Sequence, residues 1–511
     1  MNRKFLETTA CGVITWLMIF VMAFLTINSF FFRSYIDVTY VETIYYRKDN
    51  ALLALLFLAG MAALLYVGMK KGILGKIPEK PLLAVLLVYV AALSGLWAYA
   101  THSIPSADQK SILDCADGLI HGNYECMTYK GYLQYNRHQV GLTAFYEIFT
   151  RLFTGGKISY GAIYGMNTLM ITGIFFELYL ITKELTDKKE TVILELLLSF
   201  GMFQLMLYST FAYGLIPGLF FGLAGFFFLL RLVKTGRWQN GVLMALMFAL
   251  SVVLKSNYLI FVIAGGIVLT GKAVSEKKAG YLLFLLLAVA GFLGINAAAQ
   301  KTYEVRTGME FGDTIPNSAY LAMAMQNGDM APGWFNGFNH VTYRLNGYDE
   351  KVTDQISKDY IRQRIGEFAK DPLECLDFYY HKIVSQWNEV TYECFWISAH
   401  KGNHSKELSG IVQNLYTGKL HTLAEAVMNL YQLFLFFGTF LCAWGLQKNK
   451  DLSKTILLLC ILGGFLFHIL WEGKSQYIIS YFPLMLPCTV IGLEMAGRRI
   501  HGIKETSLSG S

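Results

Sequence analysis

The sequence predicts an all-α polytopic membrane protein, a bundle of about 12 transmembrane helices with outer-face loops and a small helical cap. Three observations predict it. Of 511 residues 54% are hydrophobic and only 15% charged, a balance foreign to soluble domains. The apolar residues gather in runs of about 20, the length a helix needs to cross a hydrocarbon core of roughly 30 Å. Between those runs Lys and Arg form short clusters, as they do in loops that orient helices. The formal net charge of +7 is thereby spread along the chain, without the concentrated basic patch that nucleic acid requires.

Met1-Asn2-Arg3-Lys4 precedes an apolar run that is too long for a signal peptide and has no small-residue cleavage site, so it reads as an uncleaved first helix. Runs near 10–32, 51–69 and 82–100 make residues 1–100 a block of three crossings. With the N-terminus inside, Lys70, Lys71, Lys76 and Lys80 lie in a cytoplasmic turn and residues 101–157 form the first large outer loop. Within it, 142–153 is too short to span, carries Glu147 and Arg151, and reads as an amphipathic helix in the interface.

The central block, 158–297, holds runs near 158–182, 190–212, 215–233, 238–254, 256–273 and 278–297. These bring Lys183, Lys188, Lys189, Lys234, Arg237, Lys272, Lys277 and Lys278 to the cytoplasm. Residues 298–424 are polar and aromatic, with helical spacing over 361–368 and 373–387, and are expected to be an extracytoplasmic cap. Residues 425–511 add crossings near 425–446, 454–471 and 477–495 and a cytoplasmic tail, with Lys448, Lys450, Lys454, Arg498, Arg499 and Lys504 inside. The expected localisation is the cell membrane, multi-pass, with both termini cytoplasmic. The outer loop at 33–50, which contains Asp37, has no assignable purpose.

Four of the eight cysteines, Cys115, Cys126, Cys375 and Cys394, fall outside the membrane on this topology; spacing leaves their pairing open. Asn403-His404-Ser405 is a glycosylation sequon, meaningful only in a eukaryote. No CxxC or HxxxH metal motif is present, and the cytoplasmic loops hold no P-loop or GxGxxG, so a nucleotide has no place to bind. A reactant is expected from the membrane or from outside. No cofactor is certain, and a divalent cation remains open.

The segment 101–141 interrupts the apolar chain with acids, bases, histidines and tyrosines. Asp108, in Pro105-Ser106-Ala107-Asp108-Gln109, is its leading carboxylate, with Asp114 and Asp117 as competitors. As an ordinary residue Asp108 would cap the helix that follows. As a general base it would take a proton from an acceptor hydroxyl. A sugar phosphate donor needs cations for its leaving group rather than a second acid. Lys255, in Leu254-Lys255-Ser256-Asn257, lies where two apolar runs meet, and is either a snorkelling side chain or a phosphate contact. Arg137 and His138 are exposed loop residues by default and donors to phosphate or sugar if turned inward. Glu472 and Lys474, in the turn before the last run, read as a local ion pair or as site residues, with Tyr477 beside them. His468 is expected to be a hydrogen-bonded core histidine. Trp334, Trp387 and Trp396 suit either sugar stacking or interfacial anchoring.

These stretches together resemble the GT-C superfamily of polyprenyl-phosphate-dependent glycosyltransferases, and within it the bacterial family 39-like branch related to protein mannosyltransferases. Pro105 to Gln109, with Ala116 and Gly122, is similar to that branch's first outer-loop motif; Gly131-Tyr132-Leu133-Gln134-Tyr135 ahead of Gln139-Val140-Gly141 to its tyrosine-rich continuation; Met166-Asn167 to its next helix. Leu254 to Asn257 is similar to its lysine turn. Ile315 to Met323, Gly333 to Asn336 and Lys382 to Asn388 resemble its large outer loop, and Glu472 with Gln476-Tyr477 its last turn. Asn136, Ser256 and Gln476 depart from the pattern, standing where Pro, Pro and Arg are usual.

The resemblance implies a GT-C-type bundle that moves a sugar from a polyprenyl-phosphate-linked donor to a cell-envelope glycan, lipid or protein acceptor on the outer face, with inversion. It implies Asp108 as base and Lys255 as leading phosphate contact. Arg137, His138, Tyr132, Asn257, Glu472, Lys474, Tyr477 and Trp387 are the further substrate-binding candidates. The rival expectation is a transporter or flippase of lipid-linked saccharides, which requires ionisable residues deep within several spans and repeat symmetry. Neither is visible in the sequence.

Overall fold

The computed structural model describes residues 3–38, 41–399, 404–449 and 451–500. Asn403 of the sequon, Lys450 and Lys504 lie outside them. Among the described residues ten helices are long and apolar enough to cross a membrane, from Glu7–Phe31 to Ser475–Arg498. Two further predicted crossings take other forms. The run near 190–212 is a pair of short helices, Lys189–Ser199 and Phe203–Thr210, bent by 58°, and Trp238–Leu254 is a helix of 17 residues. The expectation of about 12 is met only when both are counted with the ten. The fold is all-α except for one antiparallel hairpin, β1 (Phe32–Ile36) and β2 (Ile44–Lys48).

An apolar run becomes a helix in lipid because each backbone N–H and C=O must find a partner within the protein. Where the chain breaks, side chains supply those partners. At the bend Tyr431 Oη donates to the Leu198 carbonyl (3.0 Å), and at the end of the second helix Asn167 Nδ2 donates to the carbonyls of Ser209 (3.2 Å) and Phe211 (2.9 Å). Gly218, Gly222 and Gly225 form one face of helix Leu215–Thr235, against which Tyr258, Phe261 and Phe248 pack. The last span is itself broken, running as Ser475–Ile478, a single turn at Phe482–Leu484 containing Pro483, and Met485–Ile500.

The irregular chain collects at one end of the bundle. Helix Val140–Phe153, read from sequence as interfacial, exposes Leu152 and Phe153 but buries Glu147. That carboxylate receives Arg306 Nη1 (2.7 Å) and Tyr303 Oη (3.0 Å) from helix Gly280–Thr307, which continues past the 298 boundary suggested by hydropathy. The cap contains helices Glu350–Lys370 and Pro372–Trp387, which cover both predicted helical stretches. It is tied to the rest by backbone bonds, Gly473 N–H to the Gly333 carbonyl (2.7 Å) and Ser34 N–H to the Asn388 carbonyl (3.0 Å).

All eight cysteines are unbridged. Besides Glu425 at the edge of the span near 425–446, two carboxylates are buried inside the spans: Glu195 accepts from Ser199 Oγ, and Glu177 Oε2 has no hydrogen-bond partner. The absence of deep ionisable residues expected from the sequence is thus corrected, because both positions lie inside apolar helical runs that hydropathy averages over.

Gly214 opens helix Leu215–Thr235 against the turn at 254–255, and a Cβ there would overlap the Leu254 carbonyl oxygen. Gly214→Ala is expected to cost about 1–3 kcal/mol, measured as an earlier thermal unfolding transition of the purified protein in detergent.

Candidate functional site

Helix Ala107–His121 begins at the end of span Glu79–Thr101. Ser106, not Asp108, occupies the cap position, so the capping role expected as the ordinary alternative is not taken. Asp108 stands in the first turn and is exposed. Ala107 before it has φ 49°, a left-handed conformation that an alanine adopts at a cost of about 1–3 kcal/mol and that persists only where surroundings enforce it. Gln109 supplies part of that enforcement, its Oε1 accepting from Ala212 N–H at 2.9 Å.

Asp108 opens onto a cleft of about 120 Å³ lined also by Glu42, Tyr213, Glu393, Trp396, Lys474 and Tyr477. These residues come from the hairpin, the segment before Leu215–Thr235, the cap and the last turn, so with the Asp108 helix the site is assembled from five distant parts of the chain. The Tyr132 hydroxyl is buried near the Asp108 carboxylate without a hydrogen bond of normal geometry, and burial followed by that negative charge pushes the phenol well up.

Lys255 caps helix Trp238–Leu254, where the backbone turns into Ser256–Tyr258. Its Nζ lies 4.4 Å from the Tyr213 ring centre and 5.1 Å from that of Tyr477, two walls of the Asp108 cleft. Among the described residues no carboxylate is within ion-pair distance of it; two aromatic faces hold the ammonium instead. Burial pushes it down to about 8, against the attraction of Asp108 and Glu472. His138 retains open surface but is surrounded by protein, and burial together with the Lys255 charge pushes its ring down to about 4. Asn257 is half-buried in the turn beyond Lys255.

Lys474 does not pair with Glu472 as the local reading expected. Its Nζ is 2.6 Å from Glu42 Oε1 and 3.7 Å from Glu393 Oε2. Burial works to lower it, but those carboxylates outweigh burial and hold it charged. Glu472 instead accepts from Tyr477 Oη at 3.3 Å, and burial, opposed by Lys474 and Lys255, lifts it to about 7. Two expected contacts turn away from the cleft. Arg137 is committed to the Gly312 carbonyl and the Phe311 ring, and Trp387 is 1% exposed, packed on Phe465 and Tyr481. Trp334 is fully buried, while Trp396 lines the cleft. His468 is buried against Tyr477 (5.6 Å between ring centres), and neither ring nitrogen has a hydrogen bond of normal geometry; the expected bonded histidine is corrected on that point.

Sequence reasoning missed Glu42, Glu393 and Tyr213. Glu393 is fully buried, follows Tyr392 in a left-handed pair (φ 47° and 66°), and accepts from Ser475 Oγ and Gln476 N–H, both at 3.0 Å. Two acids four residues apart in Asn388-Glu389-Val390-Thr391-Tyr392-Glu393 were the available signal. Glu42 offered none. Among the described residues no group of three His, Cys, Asp or Glu side chains could hold a metal ion.

No protein-family model matches the sequence, and no curated protein matches it. Among solved structures the chain is similar to the archaeal oligosaccharyltransferase AglB from Archaeoglobus fulgidus, in complex with an inhibitory peptide and a dolichol-phosphate. The TM-score is 0.40 and the sequence identity 13%, over 82% of this chain and 51% of that chain. The chain spans about half the length of that structure.

Lys255 loses its charge as pH rises through about 8. Affinity for farnesyl phosphate, followed by calorimetry, is expected to fall as pH rises through about 8, above the second ionisation of the phosphate at about 6. Lys255→Arg should abolish the fall, because a guanidinium stays charged.

Proposed function

We propose that this chain is a membrane glycosyltransferase of GT-C type, which takes a sugar from a polyprenyl-phosphate-linked donor and transfers it, with inversion, to an acceptor hydroxyl on the extracytoplasmic face. The observation that carries the reading is an exposed carboxylate, Asp108, in a cleft two of whose walls, the Tyr213 and Tyr477 rings, hold a lysine without a carboxylate partner, Lys255, at the loop end of a membrane bundle. The sequence resemblance supports the same pair. So does the charge distribution, because Lys183, Lys234 and Lys272 gather at the opposite end, where Glu79, Glu184 and Asp451 meet them.

In this reading the acceptor oxygen bonds to the anomeric carbon as its proton passes to an Asp108 oxygen. The bond from that carbon to the phosphate oxygen breaks, and its electron pair leaves on the polyprenyl phosphate. Lys255 meets the charge that develops there, in a pocket where tyrosine rings limit hydration. Tyr132 and Tyr477 orient the carboxylates Asp108 and Glu472. The donor's tail lies among membrane lipids, and the acceptor is a cell-envelope glycan, lipid or protein.

Asp108→Asn is expected to lower sugar transfer by about 10²–10⁴-fold, with expression and detergent behaviour unchanged, when labelled lipid-linked sugar is followed in membranes carrying each variant. Retained turnover would sink the assignment. Buried Glu177 and Glu195 favour a second reading, transport of lipid-linked saccharides. Under it, translocation of the lipid-linked sugar would proceed normally in Asp108→Asn and stop when Glu177 or Glu195 is replaced.

A further inference from the structure

The hairpin β1–β2 reaches the cleft. It is wedged between the first span and the cap, with Ser34 Oγ donating to the Val384 carbonyl (2.8 Å) and Ile44 N–H to the Met330 carbonyl (2.9 Å). Arg33 and Asp49 bridge its base at 3.7 Å. The chain entering β2 carries Glu42, 8% exposed, into the cleft wall. Its Oε1 is 2.6 Å from Lys474 Nζ, the shortest contact that ammonium makes with a carboxylate. The second partner, Glu393, has no freedom to follow Lys474, because Ser475 and Gln476 bind its other oxygen.

Two lysines therefore stand at one cleft in different states, Lys474 in its lining and Lys255 against the Tyr213 and Tyr477 rings that wall it. Lys255 rests on aromatic faces, and a phosphate approaching it displaces no carboxylate. Lys474 is already neutralised, and a phosphate approaching it meets the Glu42 charge first.

We propose that Glu42 is a positioning residue that holds Lys474 against the hairpin, so that the donor phosphate is taken by Lys255 and kept from binding across both lysines. The inference rests on the donor-phosphate reading of the cleft. Its consequence is on release as much as on binding. A polyprenyl phosphate clamped by two ammonium groups would leave slowly, and Glu42 keeps one of them occupied.

Two measurements on the full-length protein test it. The first needs no ligand: amine acetylation followed by mass spectrometry is expected to modify Lys474 about tenfold more slowly than exposed Lys301, and Glu42→Gln to remove most of that protection while Glu42→Asp keeps it. The second is calorimetric titration with farnesyl phosphate. Glu42→Gln is expected to bind it about 5–10-fold tighter than the parent, and Glu42→Gln with Lys474→Met to lose the gain. Unprotected Lys474 in the parent, or unchanged or weaker binding in a well-folded Glu42→Gln, overturns the proposal. A parent protein that binds no farnesyl phosphate, or one whose binding ignores Lys255→Met, overturns the donor-phosphate reading and this inference with it. Protection of Lys474 would in that case still report the ion pair itself.

Discussion

Hydrocarbon offers no hydrogen bonds, and most of what this chain does with its polar residues follows from that constraint. The spans are helical because nothing else satisfies their backbone. Where they must break, as between Ser199 and Phe203, a carbonyl is met by Tyr431 and the next turn by Asn167. Charged chemistry is displaced to the end of the bundle, where spans turn and loops can be hydrated. The cleft sits there, with Lys474 at a helix junction, Asp108 in the first turn of a helix, and Glu42 and Glu393 in the irregular chain.

In and around the cleft, burial sorts three lysines into three conditions. Lys382 is fully buried with only the Ala324 carbonyl at 2.7 Å as partner, and burial pushes it down to about 7. Lys474 keeps its charge because Glu42 and Glu393 flank it. Lys255 is between these, held by ring faces rather than by an anion. A ring's negative face attracts an ammonium more weakly than a carboxylate does, so the cation remains able to exchange that contact for a phosphate. The cap contributes in a comparable way. Glu389 is saturated by Thr391, the Glu393 N–H and Ser475, which makes it a brace for the last turn rather than a reactant.

Legibility in the sequence followed the range of the interactions involved. Spans were readable because hydropathy is a local average, and the Trp238–Leu254 helix and the bent pair at 189–210 fell near their predicted places for the same reason. Asp108 stood out by composition. What could not be read were contacts between residues hundreds of positions apart: Ser34 with Val384, or Glu42 with Lys474. The 33–50 segment looked purposeless because its pairing is half with itself and half with the cap. The Glu472 and Lys474 pair failed because two neighbours in a tight turn can point to different sides, and a better-placed carboxylate came from elsewhere.

By itself the sequence determined the solvent of this protein and the rough position of its spans, because those depend on apolar run length. It also singled out Asp108 and Lys255 as the acid and the cation to watch. Only the tertiary structure decided that two walls of the Asp108 cleft, Tyr213 and Tyr477, are the rings that hold Lys255, that Lys474 is bound by carboxylates, and that Arg137 and Trp387 face away. Those outcomes depend on which helix ends meet in space, and no local property of the chain encodes that.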